Sequence, residues 1–157
     1  MSEGARLVAT MVTLSLWVGA GLLFVAVVAP AAFAVLPTRT LAGLLVGRVL
    51  PVLFVSGIVV GAVVAALAAR GGPFAGWRIG GGLVVAAACA VAHFWIGGRI
   101  ARLRADLGGA LESLPAGDPQ RALFGQLHGL SVAGLGLAGL AAAATLVLAA
   151  IALRTRG

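Results

Sequence analysis

The chain has 157 residues, 62% of them hydrophobic and 10% charged, with a mean hydropathy of +1.16. A soluble domain averages about 25% charged residues because its surface must be hydrated, so this composition excludes a soluble catalytic module. The formal charge of +7 comes from 11 arginines set at the ends of apolar runs. No basic patch is interleaved with aromatics on a soluble fold, so nucleic acid is excluded as a partner.

Four apolar runs cover residues 7–28, 51–69, 79–98 and 130–153. Each approaches the ~20 residues needed to cross a hydrocarbon core of about 30 Å at 1.5 Å per residue. Lipid gives backbone amides no partner, so such runs must be helices that satisfy their own hydrogen bonds. The expected fold is all-α: an integral-membrane, up-down four-helix bundle in one domain spanning residues 1–157. Its spans are placed at about 7–29, 41–69, 78–98 with an amphipathic extension to 114, and 119–154.

The first apolar stretch runs past the 7–15 residues of a signal-peptide core and has only Arg6 as a basic head. A retained span is expected, despite the cleavage-like Ala32-Phe33-Ala34. The residue before a proline avoids helical geometry, which places a turn at Leu36-Pro37, with Thr38 or Thr40 as the next N-cap. Pro51 falls inside the second helix and should kink it by removing one backbone hydrogen bond.

Arg70-Gly71-Gly72-Pro73 ends that helix, and Trp77-Arg78 opens the third as an interfacial anchor pair. Gly80-Gly81-Gly82 then reads as a loosening of its start. Beyond residue 98, Ile100, Leu103, Leu107, Leu111 and Leu114 keep a three-and-four spacing between charged residues, the mark of an amphipathic helix. Gly108-Gly109 weakens it. Arg99, Arg102 and Arg104 on this extension should meet anionic lipid headgroups, each contact contributing about 1 kcal/mol. Asp118 followed by Pro119 fits the N-cap and first position of the last helix.

Both termini then lie on one side of the membrane. Five arginines fall on that side and six on the other, which leaves orientation open; the tight Arg99/Arg102/Arg104 cluster favours its own side as cytoplasmic. The expected location is a multi-pass position in a membrane, the inner or plasma membrane in a bacterium.

Chemistry-bearing residues are few. Gly134-Leu135-Gly136-Leu137-Ala138-Gly139 matches a dinucleotide fingerprint by letter, but that fingerprint needs a preceding strand and open amides at a helix start. Inside a membrane helix these glycines mean close helix packing, as do Gly57 and Gly61 in a GxxxG pair; Gly19 is also assigned to packing. Cys89 and His93 are four residues apart, on one helix face. His128 lies at the same end of the fourth span. Thiolate and imidazole suit a soft metal such as copper(I) or zinc, and two imidazoles suit copper, haem or a proton relay. The bland alternatives are a cysteine packed as a small hydrophobe and a histidine bonded to a carbonyl or to Ser56, Thr13 or Ser15. Glu3, Asp106, Glu112 and Asp118 all fall in aqueous segments, so no intramembrane carboxylate supports a proton pump or an ion-coupled carrier.

Trp17-Val18-Gly19, Val28-Ala29-Pro30-Ala31-Ala32-Phe33, Leu36-Pro37, Ala42-Gly43 and Val49-Leu50-Pro51 succeed one another, followed late in the chain by Phe124-Gly125-Gln126-Leu127-His128-Gly129-Leu130-Ser131. This series resembles the uncharacterised four-span family typified by transmembrane protein 205, a domain of unknown function, over most of the chain. That family is distantly similar to copper-resistance D-type membrane proteins and to haem-pathway membrane oxidoreductases. The resemblance implies a four-span fold and hints at metal or haem handling. It includes His128 in its motif, while Cys89 and His93 rest on spacing alone.

Two functions follow from these residues. One is a non-enzymatic accessory or helix-packing subunit of a membrane complex or homo-oligomer, supported by the 24 glycines and runs such as Ala141-Ala142-Ala143-Ala144. The other is copper or haem binding through His93 and His128, with Cys89 as a further metal ligand.

Overall fold

The computed structural model describes residues 1–107, 114–115 and 117–155. Four helices cover nearly all of them: α1 (Glu3–Val35), α2 (Arg39–Ala68), α3 (Ala75–Asp106) and α4 (Pro119–Arg154), each long and apolar enough to cross a membrane. No strand occurs among the described residues. Each helix packs on the next in sequence, and α4 closes back onto α1, which gives an up-down bundle.

The helix starts follow the local chemistry. Ser2 caps α1 by accepting from the Ala5 amide at 3.3 Å, Thr38 caps α2 by accepting from Leu41 at 3.2 Å, and Asp118 caps α4 by accepting from Gln120 at 2.8 Å. Leu36 before Pro37 is extended, and this separates α1 from α2. The α2–α3 turn uses left-handed backbone at Gly71, Gly72 and Phe74. The first two take it without Cβ strain.

Prolines leave different marks. Pro30 follows a π-helical turn, Phe24–Val28, within α1. Its missing N–H leaves Ala26 without an α-helical donor, a usual cause of local widening. Pro51 lies inside α2, which stays helical across it. A second π segment, Val91–Gly97, interrupts α3.

The core joins Leu14, Trp17 and Phe24 of α1 to Leu53, Phe54 and Val64 of α2, Val85, Cys89 and Ala92 of α3, and Ala138 and Ala142 of α4. Trp17 Nε1 donates to the Leu53 carbonyl at 3.0 Å, so the indole fills the centre with its polar edge satisfied. Large apolar side chains also cover the outside: Leu16, Phe94, Trp77 and Leu140 are each at least 70% exposed. In water such a surface would aggregate; against acyl chains it is the expected solvent face.

Small residues set the α2–α3 approach. A Cβ on Gly61 would fall against the Gly82 carbonyl and the Ala86 amide, and one on Gly82 would stand 2.7 Å from the Gly61 carbonyl. A Cβ on Gly81 would run into Thr145 of α4. Two of the three glycines expected to loosen α3 therefore mark close contacts. Only Gly80 faces open space, because consecutive helical positions diverge by about 100°.

The same divergence splits Trp77 from Arg78. Trp77 is 76% exposed, as an interfacial anchor should be. Arg78 turns inward and is 1% exposed; it donates to the Pro73 carbonyl at 3.2 Å and to the Gly71 carbonyl at 3.5 Å. The glycine-rich turn presents carbonyls that no helix satisfies, and the guanidinium supplies the donors.

Candidate functional site

At the end of the bundle opposite the termini, two adjoining cavities lie among the helices. The outer one, about 350 Å³, is lined by Phe33, Arg39, Gly43, Val46, Arg121, Phe124 and His128. The inner one, about 590 Å³, is lined by Pro51, Phe54, Ala92, His93, Phe94, Gly97 and Ala101. Gly47, Leu50, Ile100, Arg104 and Ser131 line both.

Each polar group has a local reason for its position. Arg39 opens α2 just after its Thr38 cap, and Arg121 is the third residue of α4. Both belong to first turns, where the chain enters the membrane. Arg121 donates to the Leu114 carbonyl at 2.9 Å. Arg104 lies on the extension of α3, which packs along the start of α4. Its guanidinium sits 5.3 Å from the centre of the Phe124 ring, and a Cβ on residue 47 would stand 2.9 Å from its Nη1. Glycine at 47 therefore gives Arg104 room to enter. Phe124 in turn stacks on His128 at 6.1 Å.

Pro51 contributes indirectly. It has no N–H, so the carbonyl of Gly47, four residues earlier, lacks its α-helical donor at the cavity wall. Ser131 is buried and lines both spaces. Among the described residues no carboxylate lines either cavity, so its charged wall is cationic.

The residues singled out by sequence divide among several places. Cys89 is fully buried in the core, with its Sγ 2.5 Å from where a Gly57 Cβ would stand and with Trp17 alongside. His93 falls within the π segment, is half-buried and lines the inner cavity. His128 is exposed and lines the outer one. Cys89, His93 and His128 thus form no shared ligand set. Among the described residues no three His, Cys, Asp or Glu side chains group closely enough to hold a metal ion.

Of the arginines expected at headgroups, Arg99 is exposed and lies 4.3 Å from the centre of the Trp95 ring, Arg102 is exposed, and Arg104 enters the cleft. The part of the amphipathic extension carrying Gly108, Gly109, Leu111 and Glu112 lies outside the described residues, as does Arg156. The glycines divide as well. Gly57 and Gly61 face α1 and α3, and Gly134 faces Ala92 at 3.5 Å, whereas Gly19, Gly136 and Gly139 have no neighbour within 4 Å of a Cβ position.

Sequence reasoning grouped Arg104 with Arg99 and Arg102 and not with Arg39 or Arg121, and it met Ser131 only as part of a motif. The signal for joining them lay in first-turn arginines on two helices that enter from one side.

A family model described as a domain of unknown function, DUF4149, matches residues 12–108. The chain belongs to this family. The DUF4149 match takes in α1 from residue 12, all of α2 and all of α3, hence Arg39, Gly47, Pro51, His93 and Arg104 of the cleft. It stops short of α4, which brings Arg121, Phe124, His128 and Ser131. No curated protein and no solved structure matches the chain.

Proposed function

We infer that this DUF4149 chain is a non-enzymatic, helix-packing subunit of a membrane complex, with a homo-oligomer as the simplest case. The observation that carries the reading is the outward face of α4. Gly125, Gly129 and Gly136 are exposed there, have no neighbour within 4 Å, and fall within an arc of about 40° at 3.6 residues per turn. A lipid-facing stripe of glycine lets another helix backbone come close, which is the main source of association where apolar contact alone gives no preference over lipid. No described residue of the bundle packs against these glycines.

The double variant Gly129→Leu/Gly136→Leu should reduce the assembled size in mild detergent while the bundle stays folded. Gly134→Leu, which meets Ala92 inside the bundle, should lower stability instead. An unchanged assembly size in the double variant would refute the reading.

A second reading follows from the resemblance to transmembrane protein 205-like proteins and, through them, to copper-resistance D-type proteins. It assigns copper or haem to His93 and His128. Its support is that both histidines line cavities sharing Arg104 and Ser131. The set fits a metal cation poorly, because Arg104 lines both cavities, Arg39 and Arg121 join it beside His128, and no carboxylate among the described residues lines either. Purified protein that shows neither copper nor a Soret band, before or after titration with either, removes this reading.

A further inference from the structure

We propose that the adjoining cavities form a binding site for a phosphate-bearing amphiphile, with the phosphate held among Arg39, Arg104 and Arg121 and the hydrocarbon chain laid along the inner cavity. The site differs from the outward α4 face and does not depend on assembly.

Four observations converge on this ligand chemistry. First, the outer cavity brings together three arginines from three helices, and no carboxylate among the described residues lines it. Second, Arg39 and Arg104 make no ion pair or hydrogen bond among the described residues. Bare guanidiniums at a membrane interface repel one another, and a multidentate oxyanion relieves this repulsion while accepting their forked N–H groups. Third, the same space receives the first turns of α2 and α4, helices of 30 and 36 residues, whose dipoles are positive at these ends. Thr38 and Asp118 cap them without lining the cavity, so the phosphate would meet the arginines and not the capped amides.

The fourth observation concerns the chain. Along α2 the lining runs from Arg39 in the outer cavity to Phe54 in the inner one, about 22 Å at 1.5 Å per residue. Over that depth the wall changes from arginine to Leu50, Pro51, Phe54 and Phe94. A soluble phosphate would use only the mouth; an amphiphile would use both parts.

The test uses full-length protein in non-ionic detergent. Binding of dioleoyl phosphatidic acid, dioleoyl phosphatidylcholine and inorganic phosphate is followed by native mass spectrometry and by the shift in melting temperature. Phosphatidic acid should bind and raise the melting temperature, while phosphatidylcholine should bind more weakly by at least about tenfold. Arg39→Gln/Arg104→Gln/Arg121→Gln should weaken phosphatidic acid binding by at least about tenfold, since each arginine adds to the attraction for an anionic headgroup. Arg48→Gln, an exposed arginine that lines neither cavity, should change it by less than about twofold.

Should the triple variant fail to fold, Gly47→Leu keeps every arginine and fills the cavity where Arg104 enters; it should give the same loss. Equal loss from Arg48→Gln would mean unspecific headgroup attraction and would overturn the proposal. So would equal binding of phosphatidylcholine. Inorganic phosphate that matches phosphatidic acid in affinity and displaces it would overturn the hydrocarbon half and identify a soluble phosphate as the ligand.

Discussion

Replacing Gly61 by Ala should damage this protein more than any other single-methyl change in its membrane helices. The new Cβ would stand 2.6 Å from the Ala86 amide nitrogen and press on the Gly82 carbonyl oxygen. Both are backbone atoms of a regular helix, so neither can rotate away as a side chain would. Ordinary carbon contacts need about 3.5–4.0 Å, which means that α2 and α3 must part locally by about 1 Å. Their approach is also fixed from the other side, where a Cβ on Gly82 would stand 2.9 Å from the Ala65 amide. Overpacking costs about 1–3 kcal/mol, and the rigidity of both partners puts this case near about 3 kcal/mol. For a chain of this size that corresponds to a loss of about 6–12 °C in melting temperature. The assay is thermal unfolding in dodecyl maltoside, followed by near-ultraviolet circular dichroism. Gly80→Ala is the matched control: it has no neighbour within 4 Å, and should be neutral or stabilising by up to about 1 kcal/mol through helix propensity. If Gly61→Ala melts together with Gly80→Ala, the claim that backbone contact sets the α2–α3 distance is wrong.

Three further outcomes follow from single contacts. Trp17→Phe removes the bond to the Leu53 carbonyl and leaves a gap where the indole filled the core; Ser56 Oγ still donates to that oxygen at 2.9 Å, so the loss should be about 1–3 kcal/mol in a denaturation series, most of it from packing. Arg78→Met leaves the Gly71 and Pro73 carbonyls without their donor and should cost about 2–4 kcal/mol, whereas Arg70→Gln at an exposed position should stay within about 0.5 kcal/mol; equal melting temperatures would contradict the inward placement of Arg78. Cys89, enclosed between Gly57 and Trp17, should resist maleimide in folded protein and react fully after denaturation, as read by intact mass; rapid labelling of the folded form would show an accessible thiol.

Residues 79–98 and 130–153 announce membrane helices by apolar length, and Thr38, Asp118 and Pro119 announce the starts of α2 and α4 by capping chemistry. These features are local, and lipid enforces them: a chain segment in hydrocarbon must close its own hydrogen bonds whatever its neighbours do. Helix phase is not local in that sense. Gly57 and Gly61 look no different in sequence from Gly136 and Gly139, yet the first pair meets α1 and α3 while the second pair meets nothing within 4 Å. Cys89 and His93 share a face by their spacing, yet Cys89 is buried in the core while His93 is half-buried and lines the inner cavity.

The amino-acid sequence by itself therefore determined the solvent, the number of crossings and their ends, because these depend on transfer of each segment into lipid. The tertiary structure alone decided that Arg78 turns inward, that Cys89 lies in the core while both histidines line cavities, and that Arg39, Arg104 and Arg121 share a cavity. Those outcomes depend on how four rotated helices settle against one another, and the rotation of each is set by contacts that lie far apart along the chain.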